Sequence, residues 1–201
     1  MSWRERREEG VSFDGLSLDA GTIISRCSFE RCSFNGAGLG ELEIVGSEFN
    51  ECSFMGAKVD LCKLDACSFL NCDLRNADLY GTTLEACRLI GCEFGGTNLN
   101  SIKVLGGDWS YAVLRMQDLS GLRLEGVRFQ YADFYGSDLT GCDLRGCDLT
   151  GANLQQANLS GADLRGAILF EVSLRDVNLK GARMSLDQTV QLALSYGAIV
   201  E

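Results

Sequence analysis

The chain has 201 residues, 46% of them hydrophobic, with 28 acidic and 18 basic side chains and a formal net charge of −10. That length suits one domain, and the acidity argues against nucleic acid as a partner and for something basic. Histidine and proline are absent, which removes the commonest general base and metal ligand and the residue least compatible with stacked backbone ladders.

The first ten residues, MSWRERREEG, read as a charged N-terminal extension, residues 1–10. They hold no apolar run of the kind a secretory signal needs. No stretch of about 18 apolar residues follows anywhere, so no membrane span is expected and a cytoplasmic location is.

From residue 11 to 184 a five-residue period takes over. Stepping by five from Ile24 through Phe29, Phe34, Leu39 and Ile44 to Leu174, Leu179 and Met184 meets only apolar residues. Phe13 and Leu18 lie one residue out of that frame, which predicts a one-residue bulge between Leu18 and Ile24. The period matches neither a helix nor a strand. Two residues before each large centre sits a small one, usually alanine, cysteine, serine or threonine. One large and one small inward residue per five mean a bend per pentapeptide. Four bends close a square coil of about twenty residues, and such coils stack at the strand spacing of about 4.8 Å.

Spacing by twenty tests the coil. Phe29, Phe49, Phe69, Leu89, Trp109 and Phe129 fall in one column, and Phe34, Phe54, Leu74, Phe94, Leu114 and Phe134 in the next. The columns through Ile24 and Leu39 hold only aliphatics. A period of five does not require that segregation, and a twenty-residue coil does. Glycines recur two residues after the centres, at the bends, where an unusual φ is useful.

All ten cysteines, at 27, 32, 52, 62, 67, 72, 87, 92, 142 and 147, occupy the small inward slot. Cys32, Cys52, Cys72 and Cys92 should form a straight ladder, which cannot wrap a tetrahedral zinc ion. They read as buried structural thiols in a reducing compartment, with no metal and no cofactor. No phosphate loop appears, and a coil filled with leucine and phenylalanine leaves no interior cleft for a small-molecule substrate. No catalysis is expected.

Surface residues therefore carry the function. The outward residue before each centre gives one column of Asp78, Asn98, Asp118, Asp138, Asn158 and Asn178, with no cation. The neighbouring face gives Asp73, Glu93, Asp133 and Asn153. These acidic faces are one candidate partner-binding surface. The competing reading is that Asp and Asn stand there because their side chains bond nearby backbone. A second candidate surface is aromatic: Tyr111 and Tyr131, twenty apart and outward, with Tyr135 on the next face.

After Met184 the period stops. Residues 185–201 begin with Ser185 and Gln188 in capping-box spacing. Leu186, Val190, Ala193 and Leu194 follow at helical spacing, then Gly197 as a helix stop and the apolar Ala198, Ile199 and Val200. A solenoid end needs a cap. This tail is more apolar than capping requires, so Leu186, Val190, Leu194, Ile199 and Val200 are the expected homodimer contact.

The pattern small–(Asp/Asn/Ser)–(Leu/Phe)–x–x, seen in ADLYG, ANLSG and ADLRG, resembles the pentapeptide-repeat family. The layout with its apolar tail, and the stretch GGDWSYAVLRMQDLSGLRLEG, are similar to the MfpA/Qnr branch, and the unbroken frame more to MfpA than to the loop-bearing Qnr proteins. The resemblance implies an all-β right-handed quadrilateral β-helix with a short C-terminal helix. It also implies a tail-to-tail dimer that imitates duplex DNA, binds the type II topoisomerases DNA gyrase and topoisomerase IV, and antagonises fluoroquinolones or other gyrase poisons. A rod of about 40 Å per protomer suits that role. Equivalent DNA would carry about 24 charges, so shape and apolar contacts must contribute. The alternative is a pentapeptide scaffold for another protein, unconnected with topoisomerases.

Overall fold

The computed structural model describes residues 2–200, a right-handed square β-solenoid closed by one helix; Met1 and Glu201 lie outside the described residues. Eleven three-residue strands occupy two of its four faces. On one face β1 (Ser2–Arg4), β3 (Ile23–Ser25), β5 (Glu43–Val45), β7 (Lys63–Asp65), β9 (Thr83–Glu85) and β11 (Lys103–Leu105) form a parallel sheet in that order. On the next face β2 (Arg7–Glu9), β4 (Ser28–Glu30), β6 (Glu48–Asn50), β8 (Ser68–Leu70) and β10 (Arg88–Ile90) form a second. The two remaining faces are held by single parallel bridges, such as Ser33↔Ser53↔Asp73↔Glu93 and Gly38↔Lys58↔Asp78↔Asn98. Following the chain order, we call the faces A (through Ile24), B (Phe29), C (Phe34) and D (Leu39).

The register is the twenty-residue register expected from the columns. Ile24 pairs with Ile44 and Leu64 with Leu84. Before the bulge the offset is twenty-one, with Trp3 opposite Ile24 and Ser12 opposite Ser33. The extra residue therefore falls between Leu18 and Ile24. The aromatic columns stack at the coil rise: Phe29 on Phe49 at 5.1 Å, Phe49 on Phe69 at 4.7 Å and Phe34 on Phe54 at 4.9 Å between ring centres. Rigid backbone bonds between coils enforce this repeat, so each ring meets its neighbour at van der Waals contact.

Residues 2–10 are not an extension. Ser2–Arg4 and Arg7–Glu9 pair with β3 and β4 as the first coil. The pattern is hidden because Glu8 takes a centre and Arg6 its small slot. The Arg6 guanidinium bonds Glu8 at 2.5 Å and lies 4.6 Å over Trp3 and 5.2 Å over Phe13. This ion pair lies at the open end, where a buried apolar centre has no coil below it.

The small-slot rule also needs correction. Leu42, Ile102, Gln117, Leu122 and Val127 stand in slots where alanine or cysteine is usual. Val127 is accommodated because Gly107 lies one coil below it. Gly107 has φ +116°, and a Cβ there would sit 2.2 Å from the Cys87 carbonyl oxygen, so only glycine fits. Ile102 has no such partner, since Leu122 stacks directly on it.

All ten cysteines are buried, and no disulfide joins them. Except for Cys27, which donates to Ser25 in its own coil, their thiols donate to carbonyls of the coil below, as Cys62 does to Leu39 and Cys142 to Leu119. Burial pushes the thiols of Cys62, Cys142 and Cys147 up to about 12.

The C-terminal helix α1 (Leu186–Ser195) lies against the last coil. Gln188, buried, accepts from the Ser185 N–H at 2.7 Å and donates to the Leu164 and Ala167 carbonyls at 2.6 and 2.7 Å. Ser195 Oγ accepts from the Leu174 N–H at 3.2 Å. Side chains thus satisfy backbone groups that the missing next coil would have paired. No helix among the described residues is long and apolar enough to cross a membrane.

Candidate partner-binding faces

The outward Asp and Asn residues each close a small turn. Asp78 Oδ1 accepts from the Tyr80 N–H at 3.1 Å, Asp118 from Ser120 at 3.0 Å, Asp133 from Tyr135 at 3.0 Å and Asp138 from Thr140 at 2.9 Å. The same side chains bond vertically. Asn98 donates to Asp78 at 2.8 Å, Asn153 to Asp133 at 2.9 Å and Asn178 to Asn158 at 2.9 Å. The local structural reason for these residue types is therefore present. In Asp78, Asp118, Asp133 and Asp138 these bonds fall on Oδ1.

The two acidic faces differ. On face D, Asp78, Asp118 and Asp138 have no ion-pair partner among the described residues. Hydrogen bonds from Ser120 hold the Asp118 carboxyl below its usual value, so it is fully charged near neutrality. On face C, Arg75 grips Asp73 with two bonds, at 2.9 and 2.6 Å, and keeps its carboxyl low. Arg115 lies 3.6 Å from Asp133. Of the face C carboxylates in that column, Asp73, Glu93 and Asp133, Glu93 alone has no ion pair among the described residues. Face C is thus largely neutralised locally. The signal was in the sequence: Asp-Leu-Arg at 73–75 puts both charges on one side of a strand.

Face C is instead aromatic. Tyr111 and Tyr131, exposed at the B–C bend, stack at 5.3 Å with planes 15° apart. Tyr131 lies across Gly151, where a Cβ would come within 2.4 Å of the ring. The Arg115 guanidinium sits 4.9 Å over Tyr135. Val113 faces outward between them, and Met116, 68% exposed, closes the C–D edge. Val113, Arg115 and Met116 extend the tyrosine surface that spacing alone revealed. Tyr, Arg and Met together are the composition of protein-contact centres.

On α1 the apolar stripe turns away from the solenoid. Leu186 is 87% exposed, and Val190, Leu194, Ile199 and Val200 are exposed too. Leu192, which periodicity did not single out, packs against the core instead.

Residues 22–99 match the family model described as a pentapeptide repeat region, and residues 110–146 and 147–185 match pentapeptide repeats. With the square coil, these matches place the chain in the pentapeptide-repeat family. Among solved structures it is similar to a trypsin-treated form of QnrB1, a plasmid-mediated fluoroquinolone resistance protein. That match has 25% identity and a TM-score of 0.69, and covers 100% of both chains. It is also similar to HetL, a pentapeptide repeat protein involved in heterocyst differentiation regulation in the cyanobacterium Nostoc. There identity is 27% and the TM-score 0.63, over 92% of this chain and 89% of that one. No curated protein matches the chain.

Proposed function

We propose that the protein is a duplex-DNA imitator that binds a type II topoisomerase, DNA gyrase or topoisomerase IV, and antagonises fluoroquinolones or related poisons in the cytoplasm. The end-to-end likeness to QnrB1 carries this reading. The carboxylates of Asp78, Asp118 and Asp138 on face D, which have no ion pair among the described residues, support it, since they repeat along the rod as phosphates do along a duplex. With Asp73 and Asp133 locally paired, the weight of the electrostatic contact falls on Asp78, Asp118 and Asp138, and face C adds an aromatic contact. The second reading, a scaffold for another protein, draws on the likeness to HetL and on that same aromatic surface.

Charge and aromatic docking separate by mutation. Asp118→Lys with Asp138→Lys is expected to weaken topoisomerase binding severalfold and flatten its salt dependence. Tyr111→Ala with Tyr131→Ala should cost affinity with little change in salt dependence. Calorimetry across a salt series reads both, and unchanged affinity in the charge-reversal protein removes face D from the contact.

The protein is proposed to dimerise through the exposed stripe of α1. Leu194→Asp with Ile199→Asp should give a folded monomer, because neither side chain is buried against the coil. Multi-angle light scattering at micromolar protein checks this. A wild-type monomer there contradicts the dimer.

A further inference from the structure

We infer that the rod carries a hinge, a seam on faces D and A between the coil of Leu99 and Val104 and the coil of Leu119 and Leu124. Everywhere nearby the coils are tied by backbone bonds. Leu119, Gly121, Leu124 and Gly126 donate to the next coil at 2.8–2.9 Å, and Asp138 and Asp143 donate back at 2.9 Å. One coil earlier the equivalent donors, Leu99, Ser101, Val104, Gly106, Asp118 and Arg123, make no backbone bond across the gap. The bridges stop there as well: Asn98 and Lys103 pair downward, Asp118 and Arg123 upward, and neither pair joins. Faces B and C of the same two coils remain intact through Arg88↔Asp108↔Arg128 and Glu93↔Val113↔Asp133.

The cause lies in the small slots. On face A, Ile102 stacks under Leu122, and on face D, Thr97 under Gln117. Each slot sits where the backbone comes closest to the axis, so Leu122 stacked on Ile102, and Gln117 stacked on the smaller Thr97, wedge the coils apart. On face B the same two levels hold Gly107 and Val127, and on face C Ala112 and Ala132. There the volumes alternate or stay small, and the ladder closes. At this level, two open faces opposite two closed ones leave one easy motion, bending about the B–C side. The seam lies between Asn98 and Asp118. Bending therefore changes the distance from Asp78 to Asp118 and leaves that from Asp118 to Asp138 fixed. The motion belongs to the free protein and holds whichever partner docks.

Site-resolved hydrogen exchange on the full chain tests the seam. The amides of Leu99, Ser101, Val104, Gly106, Asp118 and Arg123 should exchange about 100-fold faster than those of Leu119, Gly121, Leu124, Gly126, Asp138 and Asp143. Equal protection of the two sets overturns the proposal. Leu122→Ala should slow exchange at Val104 and Arg123 if bulk is the wedge, and unaltered fast exchange in a folded variant removes that cause. Bending is read by spin-label distances over five coils, about 24 Å. Labels at Lys63→Cys and Asp163→Cys on face A should give a broader distribution than labels at Ser53→Cys and Asn153→Cys on face C, where every rung between the labels is bridged. Equal widths contradict a hinge.

Discussion

Phe129→Ala is expected to lower stability by about 3–5 kcal/mol. Phe129 is 1% exposed and contacts Trp109 and Phe134 edge-to-face at 5.9 and 5.2 Å between ring centres. The wall around it cannot collapse into the void. Its own amide bonds Asp148 O at 2.7 Å above, and Arg128 N bonds Gly107 O at 3.1 Å below, so the coil spacing is fixed. The full cavity term therefore adds to the lost transfer energy. Urea unfolding followed by circular dichroism reads the change. A loss under about 1 kcal/mol would mean that the column is not the packed interior described.

Alkali should destabilise the protein steeply, through thiols that the fold keeps protonated. Cys62, Cys142 and Cys147 are each at most 1% exposed, and burial pushes them from an ordinary 9.0 to about 12. Above pH 9 the unfolded chain has released protons that the folded chain still holds. Their contribution is therefore fully present below about pH 9 and is lost progressively as pH rises toward about 12. At pH 10.5 each thiol accounts for about 2 kcal/mol, and the three together for about 6 kcal/mol. Unfolding midpoints at pH 8 and pH 10.5 under reductant measure it. Cys142→Ala with Cys147→Ala, the residue that fills the same slot at Ala152 and Ala157, should remove about 4 kcal/mol of the fall. A flat profile would place those thiols in contact with water.

The solenoid was legible because its inward residues are chosen by size as well as polarity. Large centres every fifth residue, and aromatics confined to two columns from Ile24 onward, require a square coil and locate even the bulge after Leu18. The first coil escaped because Arg6 and Glu8 occupy inward positions as an ion pair, which no hydrophobic count detects. The seam escaped for the opposite reason: Ile102 and Leu122 are apolar and match the inward pattern, and only their stacking at a spacing of twenty betrays the wedge. The acidic columns were correctly placed by register. Their charge was not, because Arg75 reaches back to Asp73 within its own coil and Arg115 reaches across to Asp133 on the next. Gln188 was read as a helix cap alone, whereas the solenoid end also uses its amide to bond the last coil's carbonyls.

Face D now bears the functional reading, and competition on the intact target tests it most directly. Gyrase holoenzyme is titrated with the full-length protein at low salt, and labelled duplex DNA is then added in increasing amounts. The expected result is saturable binding at micromolar protein or below, reversed by the duplex and weakened by salt. Repeating the titration with topoisomerase IV covers the second target. Absence of binding to both enzymes at micromolar protein in low salt, or binding that duplex DNA leaves undisturbed, contradicts DNA imitation.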